Sequence, residues 1–201
     1  IRKALADAKR HVRGFKREQV IGLGVDTTGS TPLPVDQYGR PLAFHKEFAK
    51  NTDALAWLWK DHTSVAEAAE ITALAHDIRP QYLSKCGGIY SSEWYFSKML
   101  HCARTNKAVF DASYLWLEIA DWIPAMLTGT ESPSKLTVGV CGAGHKAMYH
   151  EQWGGYPDSE FLGQLDPRRA DLHALRDGPA PPLRRPRQDL LPLDLRQLRE
   201  E

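Results

Sequence analysis

With 201 residues, 42% of them hydrophobic and 25% charged, the chain can build one sizeable core or two modest ones and is neither disordered nor collagenous in composition. Lys and Arg together number 26 against 25 Asp and Glu, so charge gives no ground for a nucleic-acid or membrane partner, and none is expected. Three cysteines, Cys86, Cys102 and Cys141, form no Cys-x-x-Cys pair, which argues against a disulfide scaffold or a cysteine zinc site and fits a reducing cytoplasm.

Ile1, Ala4, Leu5, Ala8, Val12 and Phe15 recur at helical spacing with Arg and Lys between them, predicting an amphipathic helix over 2–16. Opening on Ile1 rather than Met, the chain reads as a piece of something longer. Val20-Ile21-Gly22-Leu23-Gly24-Val25 then ends abruptly at Asp26 and the cluster Thr27-Thr28-Gly29-Ser30-Thr31. It reads as a buried strand with Asp26 at its tip, where ligands sit in open α/β sheets, although a solvated turn over 27–31 fits the same residues.

Pro32–Val35 and Pro41–Phe44 flank Asp36-Gln37-Tyr38-Gly39-Arg40, a turn signal that predicts a hairpin at an edge. Leu55–Trp59 is a second apolar stretch ending in polar residues, Lys60-Asp61-His62-Thr63. A helix follows, capped at Thr63 or Ser64 and striped by Val65, Ala68, Ala69, Ile71, Thr72 and Ala75. Gly87-Gly88 precedes another helix start at Ser91–Trp94, with Tyr95, Met99, Leu100 and Cys102 or Ala103 facing inward. The dense apolar run from Val109 to Ile119 predicts a strand, leading through Asp121-Trp122 to a short helix that stops at Leu127-Thr128-Gly129. Helices alternating with short apolar strands indicate an α/β fold. Phe161–Leu165 suits one more helix, and the Pro- and Arg-rich stretch 177–201 reads as a linker-like or disordered tail. No apolar run approaches the roughly eighteen residues of a membrane span.

Gly139–Lys146 mimics a phosphate-binding Walker A loop, but His145 separates glycine from lysine and Ala147 replaces the Ser or Thr that would hold magnesium. Cys141 with His145 or His150 suggests a thiol nucleophile and base. No orienting acid accompanies them, and a buried cysteine in a glycine-rich turn is the plainer reading. Ser132-x-x-Lys135 contains Pro133 and reads as a loop; the eight histidines show no i, i+4 metal pairing.

Five strings occur in a telling order: Gly22–Pro32, Leu58–Thr63, Gly87–Trp94, Asp121–Pro124 and Ala143–Lys146. In this order and spacing, from about Val20 to Gly155, the chain resembles the FGGY carbohydrate kinases, a family of the actin-like, ribonuclease-H-like ATPase superfamily, and among them the kinases of L-ribulose. The resemblance implies residues 1–176 as the later part of an N-terminal sugar-binding domain, without the strand that opens it and without the second domain carrying most ATP contacts and the catalytic aspartate. After about Arg176 the likeness ends, as a truncation or shifted frame would explain.

The reaction it implies is transfer of the ATP γ-phosphoryl group to the 5-hydroxyl of L-ribulose in arabinose catabolism, with ATP and Mg2+ as cofactors held mainly by parts absent from this chain, which is expected to be inactive alone. A ketopentose is the implied small-molecule partner, and the parent is compatible with a homo-oligomer. The resemblance places sugar contacts on Trp59, Lys60, Glu93 and Asp121, and sets Asp26 and Thr27 on the cleft floor near the phosphates; no catalytic residue or metal ligand falls in the chain. The residue types agree: a ketose needs carboxylates to accept, an ammonium to donate and an indole against its carbon face. Read without that likeness, Lys60 and Asp61 are an exposed ion pair and Asp121 a helix cap. Competing readings are a non-catalytic sugar-binding module, a kinase of another ketose or polyol, and a thiol hydrolase centred on Cys141.

Overall fold

The computed structural model describes residues 1–167 and the backbone of Leu183–Arg184. The first helix forms as α1 (Arg2–His11), shorter than its periodicity predicts, and buries none of its residues. The run behind it does not become a strand. Between Val20 and Gly29 the backbone is irregular, Ile21 is 89% exposed and Asp26 is exposed. Gly22 and Gly24 raise the entropy cost of extending this stretch, and no described strand offers it a ladder to offset that cost.

The chain enters the core at Ser30. Beyond it β1 (Pro32–Val35), buried throughout, pairs antiparallel with β2 (Leu115–Glu118), Pro32 opposite Glu118 and Val35 opposite Leu115. Pro32 and Pro34 cannot donate to a ladder, so β1 suits a sheet edge. The turn over 36–40 forms as predicted, with Asp36 N–H donating to the Arg40 carbonyl and Gly39 at φ 79. Its second arm meets β1 only through a bridge between Pro41 and Val35, then tightens into a 3-10 turn at Leu42–Phe44. The long-range partner β2 replaces the expected hairpin arm because Leu117 joins Leu33 and Val35 in a small core that a local hairpin would leave open.

Helix α2 (Val65–Ile78) starts where the cap signal places it, but the Ser64 hydroxyl donates to the Ser92 carbonyl instead of capping. Ala68, Ile71 and Ala75 face inward, while Val65 and Ala69 are exposed. Glu67 is also buried, within 3.2 Å of His101 and 3.7 Å of Arg104 on α3 (Tyr95–Thr105). The Val109–Ile119 run splits in two. The Asn106 side chain caps α4 (Lys107–Ala112), which buries Val109 and Phe110, before the chain extends as β2. Short apolar runs do not distinguish helix from strand, and the cap decides this one. Helix α5 (Ile119–Thr128) follows without a loop and ends at Gly129, whose φ of 68 gives the left-handed stop the sequence predicts.

The Walker-like run is not a loop: β3 (Val138–Gly139) leads directly into α6 (Val140–Lys146). Helix α7 (Ser159–Leu165) forms at the expected place, capped by Asp158 accepting from Phe161 N–H. The backbone of β4 (Leu183–Arg184) lies parallel to β3. The boundary at 176 and the rest of the stretch 177–201 fall outside the described residues. Helices and strands are mixed as an α/β reading expects, although among the described residues the sheets are two-stranded only.

The main core gathers the inner faces of α2, α3, α4 and α7 around Tyr90, Trp116 and Phe161. Side chains of this size contribute roughly 1.5 to 3 kcal/mol each on burial. The end of α2 is tied to the start of α7 by Arg79, 2.7 Å from Asp158, and by the Tyr82 hydroxyl donating to the same carboxylate. No helix among the described residues is long and apolar enough to cross a membrane.

Candidate functional site

The inward face of α3 carries a charge. Lys98 is fully buried and sits four residues after Trp94 and four before Cys102, among the mostly apolar buried residues of the helix. Its ammonium donates to the Ser30 carbonyl at 2.8 Å and to the Leu58 carbonyl at 2.7 Å. One lysine thus ties α3 to the ends of both polar clusters that the sequence singles out. Ser30 presents its carbonyl from a left-handed conformation, φ 61, which a non-glycine residue adopts only at a cost.

Glu118, at the end of β2, is the anion of the same cluster. Its Oε2 accepts from Thr31 N–H at 2.7 Å, while Oε1 and the Ser30 hydroxyl are buried without a partner. The Thr28 and Thr31 hydroxyls lie 2.7 Å apart, so the 28–31 turn is held from both sides. Burial pushes the Glu118 carboxyl up to about 7, with the Asp121 charge adding to the rise and the Thr31 bond, Lys98 and Lys146 opposing it. Burial also pulls Lys98 down to about 8, against the pull of Asp61, Glu118 and Glu93. Asp121, in the first turn of α5, accepts from Gly139 N–H at 2.8 Å, and burial raises its carboxyl to about 6.

Of the residues expected to touch sugar, Glu93 and Asp121 therefore stand around Lys98 and Glu118. Glu93 Oε1 is 3.5 Å from His62 Nε2, and the other nitrogen of His62 meets the Ser92 hydroxyl, which links the Lys60–Thr63 segment to the start of α3. Trp59 is 46% exposed and Lys60 is exposed. Lys60 and Asp61 line a groove of about 600 Å3 with Trp57, Thr63, His101 and Thr105. Asp26 is exposed and Thr27 half-buried on the approach to the cluster. Cys141 is exposed on α6, correcting the expectation of a buried cysteine in a turn. His145, one turn later, packs its ring on Trp94 with centroids 4.8 Å apart. Chemically the cluster offers ammonium donors, carboxylate acceptors and small hydroxyls beside an indole, a set suited to a small polyhydroxylated molecule.

Over 161 residues, 80% of its length, the chain is 47% identical to a ribulokinase of Vibrio parahaemolyticus, and over 161 residues it is 40% identical to a ribulokinase of Shouchella clausii. By sequence the chain is similar to ribulokinases over this span. It spans 28% of the length of each of these two relatives. No family model matches it. In fold it is similar to a xyloylose kinase of Brucella ovis, at a TM-score of 0.58 and 19% identity, covering 91% of this chain and 32% of that one.

In this ribulokinase-like chain, sequence reading alone misses Lys98 and Glu118, and takes in Ser30 only as one hydroxyl of the 27–31 cluster. A signal exists for the first: a lysine on the inner face of an amphipathic helix is rare unless partnered. Glu118 closes an apolar run in the same manner. Among the described residues no three His, Cys, Asp or Glu side chains converge to hold a metal ion.

Proposed function

We propose that the chain is the sugar-binding part of an ATP-dependent kinase that phosphorylates L-ribulose on its 5-hydroxyl, within an N-terminal FGGY domain of ribonuclease-H-like fold. The buried Lys98 ammonium carries this reading. It gives two N–H groups to backbone carbonyls, and its third has no partner among the described residues, beside a buried carboxylate oxygen and a buried hydroxyl that also lack one. A ketopentose, with a carbonyl and several hydroxyls, meets all three needs. Trp59, Lys60, Glu93 and Asp121 complete the sugar contacts in this reading, and Asp26 with Thr27 lies toward the phosphates.

In the transfer the 5-oxygen bonds to the γ-phosphorus as the bond to the departing ADP breaks, and the hydroxyl proton passes to a base. In this reading that base, the nucleotide and its magnesium belong to a second domain, beyond the 28% of the relatives' length that this chain spans. Charge positioning dominates such reactions, so a part holding only the acceptor sugar binds without turning over.

The test is a pair of measurements on the 201-residue chain. L-Ribulose should give saturation-transfer NMR signals that Lys98→Met abolishes, while ATP and L-ribulose together should release no ADP above background. Absence of sugar binding overturns the site, and ribulose-dependent ADP release overturns the assignment of the nucleotide and base to another domain.

A further inference from the structure

Trp59 and Lys60 stand at the tip of a tight turn. Asp61 N–H donates to the Leu58 carbonyl at 3.0 Å, the same carbonyl that holds Lys98, so the turn is closed and its first end is anchored to α3. Asp61 Oδ1 accepts from the N–H and the hydroxyl of Thr63, at 2.9 Å and 2.6 Å, which folds the chain back behind the turn. Ser64, fully buried, then donates its hydroxyl to the Ser92 carbonyl. Between these anchors the tip has no tie of its own. Among the described residues the side chains of Trp59 and Lys60 make no hydrogen bond, ion pair or ring contact, and both are exposed.

His62, two residues beyond the tip, supplies the nearest one. Its Nδ1 lies 3.1 Å from the Ser92 hydroxyl and its Nε2 3.5 Å from Glu93 Oε1. A carboxylate only accepts, so Nε2 carries the hydrogen, and Nδ1 of the neutral ring accepts from Ser92. The ground on which the ring rests is rigid. Glu93 N–H donates to the Ser91 hydroxyl, and the fully buried Ser97 hydroxyl lies within 3.2 Å of the carbonyls of Ser91, Ser92 and Trp94. Glu93 Oε2 has no partner among the described residues and stays open to a ligand. The imidazole side chain is 59% exposed, so it adds little to packing, and a pair this exposed adds little to stability. What it constrains is direction: the turn tip and the Glu93 carboxylate cannot move apart without breaking it.

We infer that His62 is a positioning residue for the sugar site, holding the Trp59–Lys60 tip and the Glu93 carboxylate in one arrangement so that indole, ammonium and carboxylate meet the same ligand. The inference rests on the sugar-site reading above and adds to it a residue that touches no sugar. Through Ser92 and Glu93 it joins two stretches of sequence thirty residues apart.

The experiment uses the 201-residue chain as wild type, His62→Ala, His62→Asn and His62→Gln, with 5-fluorotryptophan in place of its six tryptophans and the Trp59 resonance assigned from Trp59→Phe. Without sugar, the Trp59 fluorine signal should move in His62→Ala toward its position in the urea-unfolded chain, while that of the buried Trp116 stays in place. L-Ribulose titrations followed by NMR should show affinity falling about three- to tenfold in His62→Ala, with the melting temperature unchanged. Glutamine reaches as far as Nε2 and can donate to Glu93, so His62→Gln should recover most of the affinity. Asparagine reaches only as far as Nδ1, and His62→Asn should bind as weakly as His62→Ala. An unmoved Trp59 signal in His62→Ala, wild-type affinity in that variant, or equal affinities for the Asn and Gln variants overturns the role of His62 and leaves the sugar site standing. If wild type binds no L-ribulose, the sugar-site reading falls and this inference with it.

Discussion

Replacing Lys98 with Met separates what the buried ammonium does for ligands from what it costs the fold. Burial takes this amine from 10.5 to about 8, and at about 1.4 kcal/mol per pKa unit the charged folded state carries a penalty on the order of 3 kcal/mol. The sign follows from proton binding. Between pH 8 and 10.5 the unfolded chain holds the proton and the folded chain releases it, so stability rises with pH across that window. Lys98→Met removes the penalty but strands the Ser30 and Leu58 carbonyls, each an unsatisfied buried acceptor costing about 1 to 3 kcal/mol. Near pH 7 the two effects nearly offset, and the variant should fold with a stability close to that of wild type. From pH 7 to pH 10 wild type should gain roughly 2 to 3 kcal/mol over Lys98→Met in urea unfolding. Parallel pH dependences in the two proteins would mean that Lys98 is not held charged in a dry site, and the reasoning would fail.

Three further outcomes follow from single contacts. Glu118, raised from 4.5 to about 7, favours the folded state below pH 4.5 and loses that contribution as pH rises through 7; Glu118→Gln should therefore gain about 2 kcal/mol on wild type between pH 5 and pH 8, measured by urea melts. The Tyr82 hydroxyl donates to Asp158 Oδ2 at 2.9 Å and accepts from Asp158 N–H at 3.0 Å, so Tyr82→Phe should lose about 1 to 2 kcal/mol and loosen α7, visible as faster amide exchange there. A Cβ on Gly39 would lie 1.9 Å from the Glu131 carbonyl oxygen at a φ of 79, and Gly39→Ala should cost more than about 2 kcal/mol; a near-neutral melt would remove the close approach of that turn to Glu131.

Helices with both a stripe and a stop were legible in the chain itself. Helix α5 ends at the Gly129 stop, and α7 (Ser159–Leu165) covers the Phe161–Leu165 run, because each signal is local. The strands were not. Val20–Val25 looks apolar enough to be buried, yet its glycines weaken extension and no described strand pairs with it. Val109 and Phe110 carry the residue types of a strand, but one side-chain cap from Asn106 turns them into helix. Pairing of β1 with β2 spans some eighty residues, and nothing within Pro32–Val35 names that partner over the nearer arm at Pro41.

For the candidate site, the motifs mark the two loops but not the residue that joins them. Ser30 and Leu58 belong to the two stretches that stand out in the sequence, but each contributes a backbone carbonyl, which no side-chain pattern can reveal. The side chain that reads those carbonyls lies forty residues beyond Leu58, on a helix whose other inward residues, Ser97 apart, are apolar. A lysine in that position would be costly were it only packing, since an unpaired buried ammonium forfeits its hydration. It is retained with two carbonyls, three nearby carboxylates and one N–H to spare. A purely structural tie between α3 and the two loops could have been made by a neutral donor such as glutamine, at a smaller desolvation cost. The charge is what a sugar oxygen would use, and Lys98→Gln asks for it directly: melts like those of wild type with L-ribulose binding lost assign the ammonium to the ligand, whereas retained binding assigns it to the fold.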